Sequence, residues 1–256
     1  MSNEVIKKDT GSVALFGDDL QKGFENMTQE DMALPFVRIL GQLSPQVTDG
    51  DAKYIDGAKP GMIYNTVTSE CFDGKKGIKV IPCYYKKDFP EWSDRGDGPG
   101  APVAVHLPNS PVIQTGKRDG SKIRLPNGNY LEETASYYVL VQTKAGGMTP
   151  ALITMKSTQL NVSKKWNSMM KTIQIPDGKG GFAIPPMHGV VYNLQSVLQK
   201  NDKGSWYGWS VAQDRIMGQE DKSLYLNAKD FRGNVSKGNV QTKADVEEKA
   251  KDNTPY

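Results

Sequence analysis

The chain has 256 residues, a formal net charge of +3, 37% hydrophobic residues and two cysteines. That length carries a hydrophobic core without staples. The composition excludes a helical membrane span, since no run approaches ~20 apolar residues, and it excludes a disulfide scaffold, since two thiols in so long a chain suit a reducing cytoplasm.

Residues 1–31 form an acidic N-terminal arm, with seven carboxylates against three lysines. The arm lacks the uninterrupted apolar stretch of a secretory signal. At most one short helix is expected in it, near Val13 to Asn26. The segment from 240 onward is also slightly acidic, so the body between carries about +8. "LPFVRILGQLSP" (34–45) is a short apolar segment bracketed by prolines, and "MIYNTVT" (62–68) is strand-like after a turn marked by Gly57, Pro60 and Gly61. "GIKVIPCYYKK" (77–87) is a long β-rich run. Residues 93–129 are dense in Gly, Pro, Asn and Asp and predict a large loop excursion, with one short strand at "PVAVHL". Strands follow at 132–143 and 148–156, then a helix from about Thr158 to Ile173. Two more strands, 189–199 and 205–213, are joined by a tight hairpin ending at Lys203-Gly204. "QEDKSLYLNAKDF" (219–231) predicts a closing helix, and 233–256 a flexible polar tail.

The fold class predicted is mainly β with a few helices. Five strands with a helix between the third and fourth is the chain order of an elaborated five-stranded OB-fold barrel. It places a single domain at 32–232, with a long strand 1–2 loop at 88–131. In this class the strand face and the loops joining strands 1–2 and 4–5 bind oligonucleotides.

Enzyme chemistry finds little footing. His106, His188, Cys71 and Cys83 lack the short local spacing of a zinc site. Neither histidine has a nucleophile elbow nearby, and both read as surface or loop residues. No GxxxxGK[ST] is present. "DRGDGPG" (94–100) lacks the ligand spacing of a calcium loop and reads as a solvated turn. No catalytic residue, metal or cofactor is predicted.

Aromatic and basic residues carry the functional reading. Alternation in the 77–87 run puts Ile78, Val80, Pro82 and Tyr84 on the apolar face, and Lys79, Ile81, Cys83, Tyr85 and Lys87 on a mixed one. Tyr84 is therefore expected to pack, and Tyr85 to stay free. Phe89 and Trp92 follow at the loop entrance. Lys117, Arg118, Lys122 and Arg124 are the densest basic cluster. In the last strand Tyr207, Trp209 and Val211 point to the core. Trp206 points the other way, beside small residues that leave floor for a nucleobase. On the helix, Val162, Trp166, Met169, Met170 and Ile173 make one apolar stripe. Lys164 and Lys165 lie off it, as a solvated face or a phosphate contact. Rings beside cations are what single-stranded nucleic acid binders use, and no recognition helix for duplex DNA is evident.

"LPFVRILGQLSPQV", "KPGMIYNTVT", "GIKVIPCYYKKDFPEW", "STQLNVSKKWNSMM" and "NDKGSWYGW" resemble segments of tailed-phage single-stranded DNA-binding and recombination proteins, over most of residues 34–210. The resemblance implies an OB-fold protein that coats single-stranded DNA during phage replication and recombination, in the host cytoplasm. Its partners would be single-stranded DNA and phage or host replication proteins, with oligomeric state open. The strongly acidic C-terminal tail often found on such proteins is missing, because Lys243, Lys249 and Lys251 dilute the acids of 240–256. A strand-annealing protein, or a structural virion protein whose rings are all core or interface, are the alternatives. A metal-dependent nuclease ranks below both.

Overall fold

The computed structural model describes residues 15–19, 22–28, 31–93, 101–202 and 204–240. The long run predicted at 77–87 becomes β4 (Ile78–Trp92), preceded by three short strands, β1 (Val37–Ile39), β2 (Ile63–Asn65) and β3 (Cys71–Phe72). After it come β5 (Ala104–His106), helix α1 (Pro111–Thr115), β6 (Lys117–Asp119), β7 (Lys122–Arg124) and β8 (Tyr130–Glu132). The chain continues through β9 (Thr134–Gln142), β10 (Met148–Lys156), helix α2 (Leu160–Thr172) and the small hairpin β11 (Ile175–Pro176) and β12 (Phe182–Ala183). It ends in β13 (Val190–Asn201), β14 (Gly204–Ile216) and helix α3 (Lys222–Ser236).

β4 organises the molecule. Its first half lies between β9 and β13, giving the antiparallel order β10-β9-β4-β13-β14. Its last residues leave β9 and pair with β5 and β8 instead. Two prolines sit where partners change. β13 pairs with β4 only over Ile78–Val80, and Pro82 falls just past it, next to a bulge. Pro90 falls after the β9 pairing ends at Asp88 and before the β8 pairing begins at Glu91. A proline inside a strand is tolerated where no ladder hydrogen bond is demanded of it.

The sheet curls around α2. Ile78, Val80, Tyr137, Val139, Ile153, Met155, Tyr192 and Leu194 form one core with Trp166 and Met170 of α2. The helix packs on both β10 and β14, the two ends of that five-strand order. No β10–β14 pair closes the ring among the described residues. β1 packs there as well, and Leu152 N–H donates to Pro35 O at 2.8 Å, which occupies the β10 edge. The opposite side chains, Ile81, Cys83, Leu140, Leu152 and Val191, are covered by Ala228 and Phe231 of α3. The result is a mainly β, half-barrel-like sheet with one helix inside the curl and one outside.

The stripe predicted on α2 is the buried one: Trp166 and Met170 are buried, with Val162 and Met169 packed beside them. Trp209 joins the same core, and Val211 packs against it. The excursion at 93–129 is not a bare loop. Phe89, Ile123, Leu125 and Leu131 gather a small core of their own, and β5, β6, β7 and β8 fold around it as a lobe on the end of β4. Of the helix expected at Val13 to Asn26, the described residues show Leu15 and Phe16 as helical, running into a 3-10 turn at Gly17–Asp19. The "DRGDGPG" turn, Lys203 and residues 241–256 of the tail lie outside the described residues. α3 runs five residues past the expected end, to Ser236.

Candidate nucleic-acid interface

The lobe brings part of the predicted cluster onto one sheet face. Residues directly opposite on paired antiparallel strands share a face, and alternate residues along a strand share it too. Trp92 lies opposite Tyr130, Tyr130 opposite Arg124, Arg124 opposite Lys117, and Glu132 opposite Lys122. The outer face of the lobe therefore carries Trp92, Tyr130, Lys122, Arg124 and Lys117 together, and Lys156 of β10 reaches in beside them. Lys122 Nζ sits 3.6 Å from the centre of the Tyr130 ring, Arg124 lies 5.8 Å from it, and Lys156 Nζ lies 6.0 Å from the Trp92 ring. Such contacts contribute roughly 0.5–1 kcal/mol each at exposed sites. Two carboxylates hold the cations in place: Asp119 pairs with Arg124 at 3.2 Å, and Glu132 with Lys156 at 2.7 Å. Among the described residues this face carries four cations and two acids.

Sequence pattern alone does not single out Tyr130 or Lys156. Asp119-Gly120 and Asn127-Gly128 are hairpin signals that could have found Tyr130.

The other predicted residues lie elsewhere. Arg118 is exposed on β6 but opposite Ile123, on the lobe's inner side. Phe89 is only 7% exposed, within the lobe core, so it is no free platform. Tyr85 and Tyr84 exchange the faces expected of them, and both are half-buried. Cys83 is an extra residue bulged between Pro82 and Tyr84, and that insertion reverses the alternation. Tyr85 then faces Tyr137 at 5.1 Å beside the main core, while Tyr84 meets Tyr138 edge-on at 6.1 Å on the far side. Lys79 is ion-paired with Asp214. Lys87 is paired with Glu133 at 2.9 Å, and that carboxylate raises its pKa above the ordinary lysine value. Lys164 and Lys165 are exposed on α2. Trp206 is half-buried, and the floor expected beside it at Gly208 is filled by the side-chain amides of Gln159 and Gln199.

Both histidines, expected as surface or loop residues, make contacts with neighbouring side chains. His188 is buried against Tyr225 at 5.1 Å; burial, with Arg232 and Lys229 nearby, lowers its pKa. A cavity of about 390 Å³ opens close by, lined by Ile175, Pro185, Ile216, Met217, Lys222 and Tyr225, and none of the predicted residues lines it. His106 Nε2 lies 2.7 Å from Glu91 Oε2 on the lobe's inner side. Asn129 and Asn127 donate to Glu91 Oε1 at 2.6 and 3.0 Å. Those donors, Asn129 first, hold the buried Glu91 carboxyl below its ordinary value. A depressed carboxylate pKa stabilises the fold above the unfolded value, and the contribution is lost as pH falls through the native one. Glu91→Gln is therefore expected to lose about 1–3 kcal/mol at neutral pH. The gap to the parent should narrow as thermal melts are taken from about pH 6 to pH 3. A gap that stays constant across that range would show that the Glu91 charge contributes nothing.

Among the described residues no group of three or more His, Cys, Asp or Glu is placed to hold a metal ion. Nor is any helix there long and apolar enough to cross a membrane. Both thiols are free, and burial pushes Cys83 up to about 12.

The family described as Pam3 phage gp34-like protein matches residues 7–241, nearly the whole chain. The chain belongs to that family of phage proteins. Comparisons with curated proteins and with solved structures found no match.

Proposed function

We propose that this phage gp34-like protein binds single-stranded DNA without sequence preference, in phage replication and recombination, and that it does so without catalysis. The carrying observation is the outer face of the lobe, where Trp92 and Tyr130 lie beside Lys122, Arg124, Lys117 and Lys156. Flat rings accept any base, and the adjacent cations accept the phosphates that connect the bases. The strand order supports an OB-type reading. Taking β4, β9, β10, β13 and β14 as strands 1 to 5, strand 1 pairs with 2 and 4, strand 3 with 2, and strand 5 with 4. The helix α2 falls between strands 3 and 4, as in that fold, which is commonly part-open. The lobe then stands in the position of the strand 1–2 loop, one of the loops by which OB-folds hold oligonucleotides. The host cytoplasm is the compartment where such a protein works, and replication and recombination proteins are its expected partners.

Fluorescence anisotropy with oligo-dT, duplex DNA and single-stranded RNA, at two salt concentrations, tests the proposal. Tight binding to oligo-dT is expected, with duplex weaker. Log affinity should fall against log salt with a slope of roughly −1 to −3, as two to four phosphates are neutralised. No binding of oligo-dT at low salt would refute the reading. Acceleration of complementary-strand pairing in the same assay would move it to an annealing protein.

A further inference from the structure

The nine-stranded sheet has several free ends, and most are guarded. The β6 edge is entirely charged, with Lys117, Arg118 and Asp119 exposed. The β10 edge is occupied by Pro35 and Phe36. On β14, Trp209 N–H donates to Gln159 Oε1 at 2.8 Å. β5 is different. It pairs with β4 on one side, and among the described residues no strand pairs with its other side. Val103, Val105 and Leu107 stand along it at alternate positions and are 52%, 49% and 55% exposed. Val105 lies opposite Pro90, so this stripe is on the same outer face as Trp92. Residues 101–110 contain no Asp, Glu, Lys or Arg. An unguarded strand edge with an apolar stripe is a template for another strand.

We propose that β5 is a self-association edge, and that it pairs antiparallel with β5 of a second copy about a two-fold axis through Val105. The sequence is self-complementary in that register. Val105 meets Val105 of the partner subunit, while Val103 and Leu107 each meet the other's counterpart, so apolar lies on apolar down the whole face. Charge favours a copy as well: the body of the chain is strongly positive, yet this segment is neutral, so two copies meet here without like-charge repulsion. His106, the one titratable side chain on the strand, points to the other face and is held by Glu91. Pro102 and Pro108 bracket the segment and confine the ladder to 103–107. Among the described residues each copy has one such edge, so pairing closes at a dimer. The contact does not depend on nucleic acid.

Light scattering on the full chain without DNA reads the outcome. The parent should run at twice the 28.2 kDa chain mass. Val105→Lys should run at one chain mass, with self-association weakened at least about tenfold. Leu107→Glu should do the same, and circular dichroism melts of both should match the parent, since the two side chains are half in solvent. Val105→Cys treated with diamide should form a disulfide-linked dimer, and Lys117→Cys should not. A monomeric parent, or a dimer that survives both charge substitutions, would overturn the proposal, whatever the DNA measurements show.

Discussion

Replacing Trp166 with Ala is expected to destabilise the protein by about 3–5 kcal/mol. The indole is fully buried, stacked on Tyr137 at 4.3 Å and edge-on to Tyr192 at 5.6 Å. Those two rings come from β9 and β13, on either side of β4. The side chain thus fills the inside of the curl, over the middle of the five-strand order. Tyr137 also ties the helix down, since its hydroxyl lies 2.7 Å from Ser163 Oγ and donates to Asn167 Oδ1 at 2.9 Å. A domain has only about 5–15 kcal/mol of net stability to lose. The midpoint of a thermal melt should fall by roughly 6–20 °C. Trp166→Phe should cost far less, because Nε1 has no hydrogen-bond partner and a ring is kept. A shift for the Ala variant below about 1 kcal/mol, the size of an ordinary surface change, would mean that α2 does not plug the curl.

Trp166 is also the clearest instance of what the sequence made legible. An apolar stripe at helical spacing has one physical meaning, so α2 and its buried face followed from Val162, Trp166, Met169 and Met170. The long strands β4, β9, β10, β13 and β14 followed in the same way, from runs of β-branched and aromatic residues separated by turns. Two features were hidden for identifiable reasons. The Cys83 bulge adds one residue to β4, and a period of two has no memory across an insertion, so Tyr84 and Tyr85 changed faces. The lobe was masked by composition. Asn127, Asn129 and Glu91 read as polar loop and strand-end residues, but across 36 to 38 positions they form one hydrogen-bonded network. Such a pairing has no local signature. Phe89 was likewise placed by Ile123 and Leu131, which lie more than thirty residues on. The candidate face was therefore only half legible: the cations of β6 and β7 stood out as a cluster, while Tyr130 joined them through strand register and Lys156 through its contacts with Trp92 and Glu132.

The largest functional effect is expected from Trp92→Ala and Tyr130→Ala. Each should lower affinity for oligo-dT by about 1–3 kcal/mol, the value of one stacked base, or roughly 5- to 150-fold. The two rings are cross-strand neighbours on the lobe's outer face, so their losses need not add. Tyr130→Ala does more than remove a platform, because it also unseats Lys122 from the ring it covers. Its salt slope should flatten together with its affinity, whereas Trp92→Phe should keep most of both. Tyr85→Ala provides the contrast. Its ring faces Tyr137 and the main core, so it should lower the melting temperature and leave oligo-dT affinity near that of the parent. The two outcomes separate a binding ring from a packing ring in proteins of one family and one fold. If Trp92→Ala and Tyr130→Ala both bind as tightly as the parent, the bases do not lie on this face. The cations of β6 and β7 would then have to be read as a solvated surface.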